Sequence, residues 1–151
     1  IKPAGYDGPP QRVDNVVSSL DVYGTILDAA GDEHWRNERM EAEDIEARTL
    51  TPFLEGGAED WDDEAFSLIR EEPEDNLTMY RRDNLKIIRL ARGMDDALYE
   101  MYDLDEEPLE TRNVYEDDSY REEREEMQAR LDEWWREQAE KYDRDMIDFN
   151  W

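Results

Sequence analysis

The sequence predicts an α+β domain with a small antiparallel sheet of three or four strands, an amino-terminal helix and a long carboxyl-terminal amphipathic helix. Residues 79–114 contain two short apolar runs separated by a glycine, as in a β-hairpin. Two other stretches, 13–30 and 119–142, instead repeat apolar residues every three or four positions. These two periodicities together indicate a mixed fold.

The first helix is predicted over Val13 to Ala30. Residues 1–12 before it are rich in proline and glycine, which favours a loop. Ser18 or Ser19 is a suitable cap, and Gly31 is suited to end the helix at the C′ position. Its apolar positions lie on one face: Leu20, Tyr23, Ile26, Leu27 and Ala30.

Residues 32–64 are predicted to form an acidic connecting region. His34, the only histidine of the chain, lies within it beside Trp35. A lone histidine next to a tryptophan is more often a surface or packing residue than a metal ligand, because metal sites need several convergent ligands. A compact turn is expected at Leu50 to Leu54.

The end of this region resembles a calcium loop in part. Asp60, Asp62 and Glu64 alternate as calcium ligands do, and Glu71 occupies the twelfth place. Ala65, however, stands where an EF-hand requires glycine for its sharp turn. We therefore interpret residues 59–64 as a solvated acidic loop.

The strands are predicted from residue 65 onward. Ala65 to Ile69 is a short apolar strand, residues 71–76 with Pro73 form a turn, and 77–82 lead into the hairpin. The hairpin begins with a β-branched run after the turn-forming pair Asp83 and Asn84. Its second strand is Leu98 to Leu104, in which Leu98, Glu100 and Tyr102 alternate with Tyr99, Met101 and Asp103.

The last helix is predicted to begin at Ser119, with Glu122 completing a capping box. One face carries its apolar and aromatic residues: Tyr120, Met127, Leu131, Trp134, Gln138 and Tyr142. The opposite face is rich in Glu and Arg, with Glu126 and Arg130 as an expected i to i+4 ion pair. This pattern predicts that the helix packs over the sheet, and that residues 143–151 form an apolar tail that docks.

Acidic residues dominate the composition. Acids outnumber bases 44 to 18, the net charge is −26, and charged residues make up 41% of the chain. Such a chain repels itself in dilute buffer, whereas molar salt shortens the screening length to about 3 Å. Only three of these bases are lysines, which is typical of a halophile's protein. The many aromatic residues supply apolar mass that a disordered chain lacks, so they favour a folded protein. We do not expect nucleic acid as a partner, since no unopposed basic patch is visible in the sequence.

Other features exclude some classes of site. The chain has no cysteine and therefore no disulfide or thiolate metal site. No apolar run is long enough to span a membrane, and no signal peptide is visible, so we expect a cytoplasmic location. We find no phosphate-binding glycine loop and no serine, histidine and aspartate set. The first residue is Ile1 rather than methionine, so we expect a longer parent protein.

Three tracts resemble sulfatases of the alkaline-phosphatase-like superfamily. Val16 to Gly31, VVSSLDVYGTILDAAG, is similar to the pattern "vs.lDl.PTlldlaG", with Gly24 where proline is usual. Thr49 to Gly56, TLTPFLEG, resembles "SL.PLL.G". The third tract, 86–114, resembles "KYI... LYDL... DP.E..N" from the carboxyl end of the family. The tracts occur in the family's order.

The resemblance implies that this chain is the carboxyl-terminal part of a parent enzyme with an α/β alkaline-phosphatase-like fold. It implies four regions: 1–31 ends the catalytic domain, 32–64 connects, 65–142 is the carboxyl-terminal subdomain, and 143–151 is the tail. The family's Cys-x-Pro-x-Arg tract and its Asp-Asn metal pair are absent from the chain. We therefore expect no catalytic, cofactor-binding or metal-binding residue here, and a calcium or magnesium ion in the missing catalytic domain.

The expected function is to pack on the amino-terminal catalytic domain and shape the cleft for a sulfate ester, without catalysis by this part alone. One alternative is another hydrolase of the same superfamily, acting on phosphodiesters or phosphonate esters. A different alternative is a free-standing acidic binding domain. That domain would use the 59–64 loop and a glutamate cluster on the last helix, Glu122, Glu123, Glu125 and Glu126.

Overall fold

The structure is a computed structural model that describes residues 1–2, 7–10, 12–32, 46–72, 75–92 and 96–142. The chain divides into two compact units. The first unit comprises Ile1–Asn15 and Ser19–Trp61, and the second comprises Val16–Ser18 and Asp62–Trp151. Among the described residues, no helix is long and apolar enough to cross a membrane.

Some sequence predictions lie outside the described residues. These are His34 with residues 33–45 of the acidic connecting region, Pro73 in the predicted turn, the glycine turn at 93–95, and the tail 143–151.

The described part of the first unit includes the helices α1 (Ser19–Ala29) and α2 (Thr51–Glu55). The predicted start of α1 at Val13 is wrong, because the preceding residue Val16 is buried in the second unit and its N–H donates to the Asp63 carboxylate at 2.9 Å. The predicted C′ glycine is confirmed. Gly31 has a φ of 74°, and the N–H groups of Gly31 and Asp32 donate to the carbonyls of Asp28 and Leu27.

The second unit contains an antiparallel sheet of four strands in the order β1-β2-β3-β4. The strands are β1 (Glu64–Glu72), β2 (Asp75–Arg82), β3 (Leu85–Arg92) and β4 (Asp96–Asp103). The predicted sheet is confirmed, but the predicted turn over 71–76 is too long, since β1 continues to Glu72 and β2 starts at Asp75. Ladder hydrogen bonds between adjacent strands satisfy backbone groups that a long turn would leave to water.

The turn between β2 and β3 is the predicted pair Asp83 and Asn84. Asp83 has a φ of 52°, in the left-handed region that Asp and Asn tolerate better than most residues. The Asn84 side chain donates to the Asp105 carboxylate at 2.7 Å, which ties this turn to the chain that follows β4.

One row of side chains across the sheet forms the core. Directly paired positions place Phe66 beside Tyr80, Tyr80 beside Ile87, and Ile87 beside Met101. Helix α3 (Arg121–Tyr142) covers this row with Met127 and Leu131, both buried. The rings of Tyr80, Phe66 and Trp134 stack in sequence at centroid distances of 4.5 and 4.8 Å.

The apolar stripe of α3 is the predicted one, with one addition. Met127, Leu131 and Gln138 are buried, while Tyr120 and Trp134 are partly buried. Trp135 is also buried, although the predicted stripe contained only its neighbour Trp134. Tyr142 ends the helix, and its side chain lies outside the described part.

The predicted cap of the last helix is wrong. Asp117 is the capping residue, and its carboxylate accepts from the Ser119 N–H at 3.0 Å and from the Ser119 hydroxyl at 2.6 Å. Ser119 therefore lies inside a 3₁₀ turn, Asp118–Tyr120, that leads into α3. An ionised carboxylate is the stronger acceptor of the two side chains, so it takes the helix-starting position.

The predicted ion pair between Glu126 and Arg130 is also wrong. Arg130 instead donates to Glu64 of β1 at 2.8 Å, and Glu126 accepts from Arg82 of β2 at 2.9 Å. Glu64 is largely screened from water and already accepts from the Tyr80 hydroxyl, so it binds the guanidinium better than an exposed carboxylate does.

We expect Ile87→Ala to lower the free energy of unfolding of the second unit by about 2–5 kcal/mol, because Ile87 is fully buried between the sheet and α3. Ile88→Ala is the matched control, since Ile88 is only partly buried and points to the opposite face. Urea unfolding followed by tryptophan fluorescence measures both variants. Equal losses of stability in the two variants would contradict the packing of α3 on only one side of the sheet.

We expect alkaline pH to destabilise the second unit through Tyr80. Burial and the hydrogen bond to Glu64 raise the pKa of Tyr80 from 10.0 to about 12. The neutral phenol is the form that the fold stabilises, so this contribution is complete below pH 10 and is lost as pH rises through about 12. The melting temperatures of the wild type and of Tyr80→Phe should therefore become more similar as the pH is raised from 10 to about 12. Parallel curves would contradict this assignment.

Candidate functional site

Helix α1 turns its polar side inward. Asp21, Gly24 and Thr25 are buried, and only 1% of Asp21 is exposed. The Asp21 carboxylate accepts from the backbone N–H of Arg48 at 3.0 Å and from its guanidinium Nη2 at 3.1 Å. Two oxygens of one carboxylate thus hold both the backbone and the side chain of a residue far along the chain.

The same side of α1 binds the next residues of that segment. The Thr25 hydroxyl accepts from the Leu50 N–H at 2.8 Å, and the Asp28 carboxylate accepts from the hydroxyls of Thr49 and Thr51 at 3.0 and 2.8 Å. These contacts join the two tracts, 16–31 and 49–56, that the sequence comparison identified separately. The two tracts therefore meet in a hydrogen-bonded junction between helix α1 and the turn that follows Arg48.

An aromatic cluster supports this junction. The Arg48 guanidinium lies over the Trp61 ring at 3.7 Å, and Trp61 makes an edge contact with Phe53 at 4.8 Å. Arg48 is therefore held by a cation–π contact and by a nearly buried carboxylate at once. Sequence reasoning missed this role for Asp21 and Arg48. The spacing of Asp21, Thr25 and Asp28 along one helix side was the available signal.

The opposite side of α1 is apolar and exposed. Leu20 and Ile26 are 47% and 60% exposed, and Tyr23 lies between them on the same side. We call these three residues the apolar face of α1. Burying large apolar side chains is favourable, so a helix that presents them outward while its polar side is fully bonded is suited to pack against another surface.

In the second unit, the chain after β4 is fixed against the sheet. The Asn113 side-chain oxygen accepts from the N–H groups of Met101 and Tyr115 at 3.0 and 2.9 Å, and the Val114 N–H donates to the Met101 carbonyl at 2.8 Å. Lys86 of β3 pairs with Glu110, a residue with a φ of 55°. These contacts involve the residues that carry the third tract of the family pattern.

Asp103 at the end of β4 receives several donors. The Tyr120 hydroxyl donates to it at 2.9 Å, and the N–H groups of Asp105 and Glu106 donate at 3.0 and 3.2 Å. Burial opposes its ionisation, but these hydrogen bonds outweigh burial and lower the pKa of Asp103. The Asp103 carboxylate therefore stays ionised and accepts the hydrogen bonds that hold the turn after β4.

The partial calcium pattern is used differently in the structure. Glu64 belongs to β1 and binds Arg130 and Tyr80, while Asp63, inside the loop, binds the Val16 N–H. Within the described ranges, no three histidine, aspartate or glutamate side chains are grouped so that they could hold a metal ion.

The glutamate cluster on α3 is mostly exposed. Glu122, Glu125 and Glu126 are exposed, and Glu126 bonds to Arg82. The cluster is thus partly used inside the unit, between α3 and β2. The glutamate cluster therefore lies on the exposed, charged side of α3.

The family described as "N-sulphoglucosamine sulphohydrolase, C-terminal" matches residues 5–137. A comparison with curated proteins found no match. Among solved structures, BT4656 in complex with its substrate D-glucosamine-2-N,6-O-disulfate is similar, with 26% identity and a TM-score of 0.60. The phosphonate monoester hydrolase of Agrobacterium radiobacter is similar with 28% identity and a TM-score of 0.52.

These similarities cover most of this chain and a small part of the relatives. The match to BT4656 covers 77% of this chain and 23% of that chain, and the match to the phosphonate hydrolase covers 74% and 23%. The chain thus spans about a quarter of the length of these structures. The predicted resemblance to the carboxyl-terminal part of sulfatases is confirmed. The chain belongs to the family of N-sulphoglucosamine sulphohydrolase carboxyl-terminal domains.

Proposed function

We propose that this chain is the carboxyl-terminal part of a sulfatase-type hydrolase of sulfate esters. In this proposal it packs on the catalytic domain of the parent enzyme and forms part of the wall of the substrate cleft. The catalytic groups and a calcium or magnesium ion belong to that other domain. The family match over residues 5–137 supports the proposal, as does the similarity to BT4656 with its sulfated glucosamine substrate.

The inverted polarity of α1 is the observation that carries the packing role. Its polar side is saturated by contacts with residues 48–51, whereas its apolar face, Leu20, Tyr23 and Ile26, is exposed. A free-standing domain would gain stability by burying these residues or replacing them with polar ones. A partner domain that covers them explains why they are retained on a chain with 41% charged residues.

A second candidate activity is phosphonate ester hydrolysis. The similarity to the phosphonate monoester hydrolase of Agrobacterium radiobacter, at 28% identity, favours it. Sulfate and phosphonate monoesters are both tetrahedral anions, and the groups that distinguish them would lie in the catalytic domain. A Cys- or Ser-x-Pro-x-Arg tract in the parent sequence would favour sulfate ester hydrolysis over phosphonate ester hydrolysis.

The proposal includes adaptation of the parent to high salt, as in halophilic archaea. Acids outnumber bases 44 to 18, and the bases that are partly buried, such as Arg130 and Lys86, are bound to carboxylates. The remaining surface carboxylates repel one another, and salt screens that repulsion.

We expect the full-length parent to hydrolyse aryl sulfates with a kcat/KM higher than that for the matching aryl phosphonate monoesters. The measurement is a release assay with a common leaving group, so that only the transferred anion differs. A variant lacking the predicted nucleophile in the catalytic domain is the control for background hydrolysis. A higher value for the phosphonate would assign the parent to the second candidate activity.

We expect residues 1–151 to gain helical and strand signal, and a higher melting temperature, between dilute buffer and about 3 M KCl, where screening is nearly complete. Far-UV circular dichroism measures both quantities. Sodium perchlorate at the same ionic strength is the control that separates screening from salting-out.

A melting temperature that does not rise with salt would contradict halophilic adaptation. A chain that unfolds in both buffers would indicate instead that the apolar face of α1 must be covered before the chain is stable. An acidic domain that binds a basic partner would lose that partner as salt rises.

A further inference from the structure

The sheet carries an aliphatic row on the side that α3 does not cover. Ile69, Leu77, Leu90 and Leu98 come one from each strand and are direct cross-strand partners. Each lies three positions from a core residue of its own strand, so it points to the opposite side. We call these four residues the aliphatic row.

The ends of the aliphatic row are open to solvent. Ile69 on edge strand β1 is 53% exposed and Leu98 on edge strand β4 is 59% exposed, while Leu77 and Leu90 between them are partly buried. A contiguous exposed apolar patch is uncommon on a soluble monomer and marks an interaction surface. The aliphatic row is therefore suited to hold an apolar segment.

Helix α3 runs along edge strand β1, in the same direction as that strand. Arg130 binds Glu64, the first residue of β1, at 2.8 Å. One helical turn later, the ring of Trp134 stacks on Phe66 at a centroid distance of 4.8 Å. Both contacts advance together along the helix and the strand, so α3 approaches the level of the aliphatic row.

The end of α3 lies close to that level. Tyr142 ends the helix about 12 Å beyond Trp134, at about 1.5 Å per residue. Ile69 lies about 10 Å beyond Phe66, at about 3.3 Å per residue of strand. The chain therefore leaves α3 beside the edge of β1, on the other side of the sheet from the aliphatic row.

The sequence that follows α3 has the pattern of an extended segment with one apolar side. Ile147, Phe149 and Trp151 alternate with Asp148 and Asn150. A period of two is typical of an extended chain, in which alternate side chains point to the same side. The tail 143–151 can thus present three large apolar side chains to one surface.

The length of the tail matches the path to the aliphatic row. An extended segment from 143 to 151 spans about 30 Å. Four neighbouring strands are about 14 Å across. The polar residues Asp143, Arg144 and Asp145 can pass the edge of the sheet, which leaves residues 146–151 to cross the strands.

Charge does not select the occupant of the aliphatic row. Lys86, on the same side of the sheet, is already paired with Glu110. The register also puts three acids and one base at the neighbouring positions Glu72, Asp75, Arg92 and Asp96. The occupant is therefore selected by its apolar pattern and by its reach.

We propose that the tail 143–151 passes around the edge of β1 and covers the aliphatic row with Ile147, Phe149 and Trp151. Removing these side chains and the exposed ends of the row from water is favourable. The sheet is then covered by α3 on one side and by the tail on the other. This inference is independent of the proposed function, because the covering segment belongs to the same chain.

The test is hydroxyl-radical labelling of the full-length parent under native conditions. We expect Ile69 and Leu98 to be labelled several-fold more slowly than Leu109. Leu109 is the control because it is 80% exposed in the loop after β4 and lies off the sheet. Leu98 labelled as fast as Leu109 would overturn the proposal.

Variants of the tail identify the occupant. We expect the double variant Phe149→Ser and Trp151→Ser to raise the labelling rate of Leu98 several-fold, because the covering side chains are lost. Asn150→Ser is the matched control, since residue 150 alternates with the apolar positions. Leu98 that stays protected in the double variant would overturn the proposal, and the mass of the parent would then show whether a second copy covers the row.

Cross-linking gives a second measurement that leaves most of the tail intact. This chain has no cysteine, so the pair Leu98→Cys and Phe149→Cys can be joined by a short bismaleimide in a parent whose other cysteines are replaced. We expect this pair to cross-link within one molecule and the control pair Leu109→Cys and Phe149→Cys to remain unlinked. Equal yields, or a link only between two molecules, would overturn the proposal.

Discussion

The packing of α3 on one side of the sheet is the interaction on which the second unit depends. A chain with 41% charged residues has few apolar side chains, so the core is small and combines one row across four strands, a stripe of α3 and Val114 from the chain after β4. Stacking of Tyr80, Phe66 and Trp134 concentrates aromatic area where Ile87 and Met101 are fully buried. Around this core the polar groups pair, as the bond between Arg130 and Glu64 shows.

Arginine has a consistent use in this acidic protein. Arg48 and Arg130 lie at partly buried positions, each binds a carboxylate from a distant part of the chain, and each also lies over an aromatic ring. A planar guanidinium can make both kinds of contact at once, which an ammonium group does less well. Part of the scarce positive charge is therefore used at junctions between elements, as at Arg48 and Arg130, whereas Arg12 and Arg121 form exposed pairs with nearby residues.

Two apolar surfaces are left over once these interactions are complete. One is the apolar face of α1 in the first unit, and the other is the side of the sheet that α3 leaves uncovered in the second, where Ile69 and Leu98 are exposed. In each unit the inward side is satisfied, by hydrogen bonds around Asp21 in the first and by α3 in the second. Exposed apolar surfaces of this kind mark interaction sites on proteins.

The sequence by itself determined the class of the fold, because periodicity and turn residues act locally. The turn at Asp83 and Asn84, the end of α1 at Gly31 and the stripe of α3 follow from local residue types and spacing. The three tracts also indicated the family. Only the tertiary structure decided which distant partners charged side chains such as Arg130 and Asp21 take. Arg130 bonds to Glu64 rather than to its helical neighbour Glu126, and Asp21 faces inward, because both choices depend on residues distant in sequence that the fold brings together.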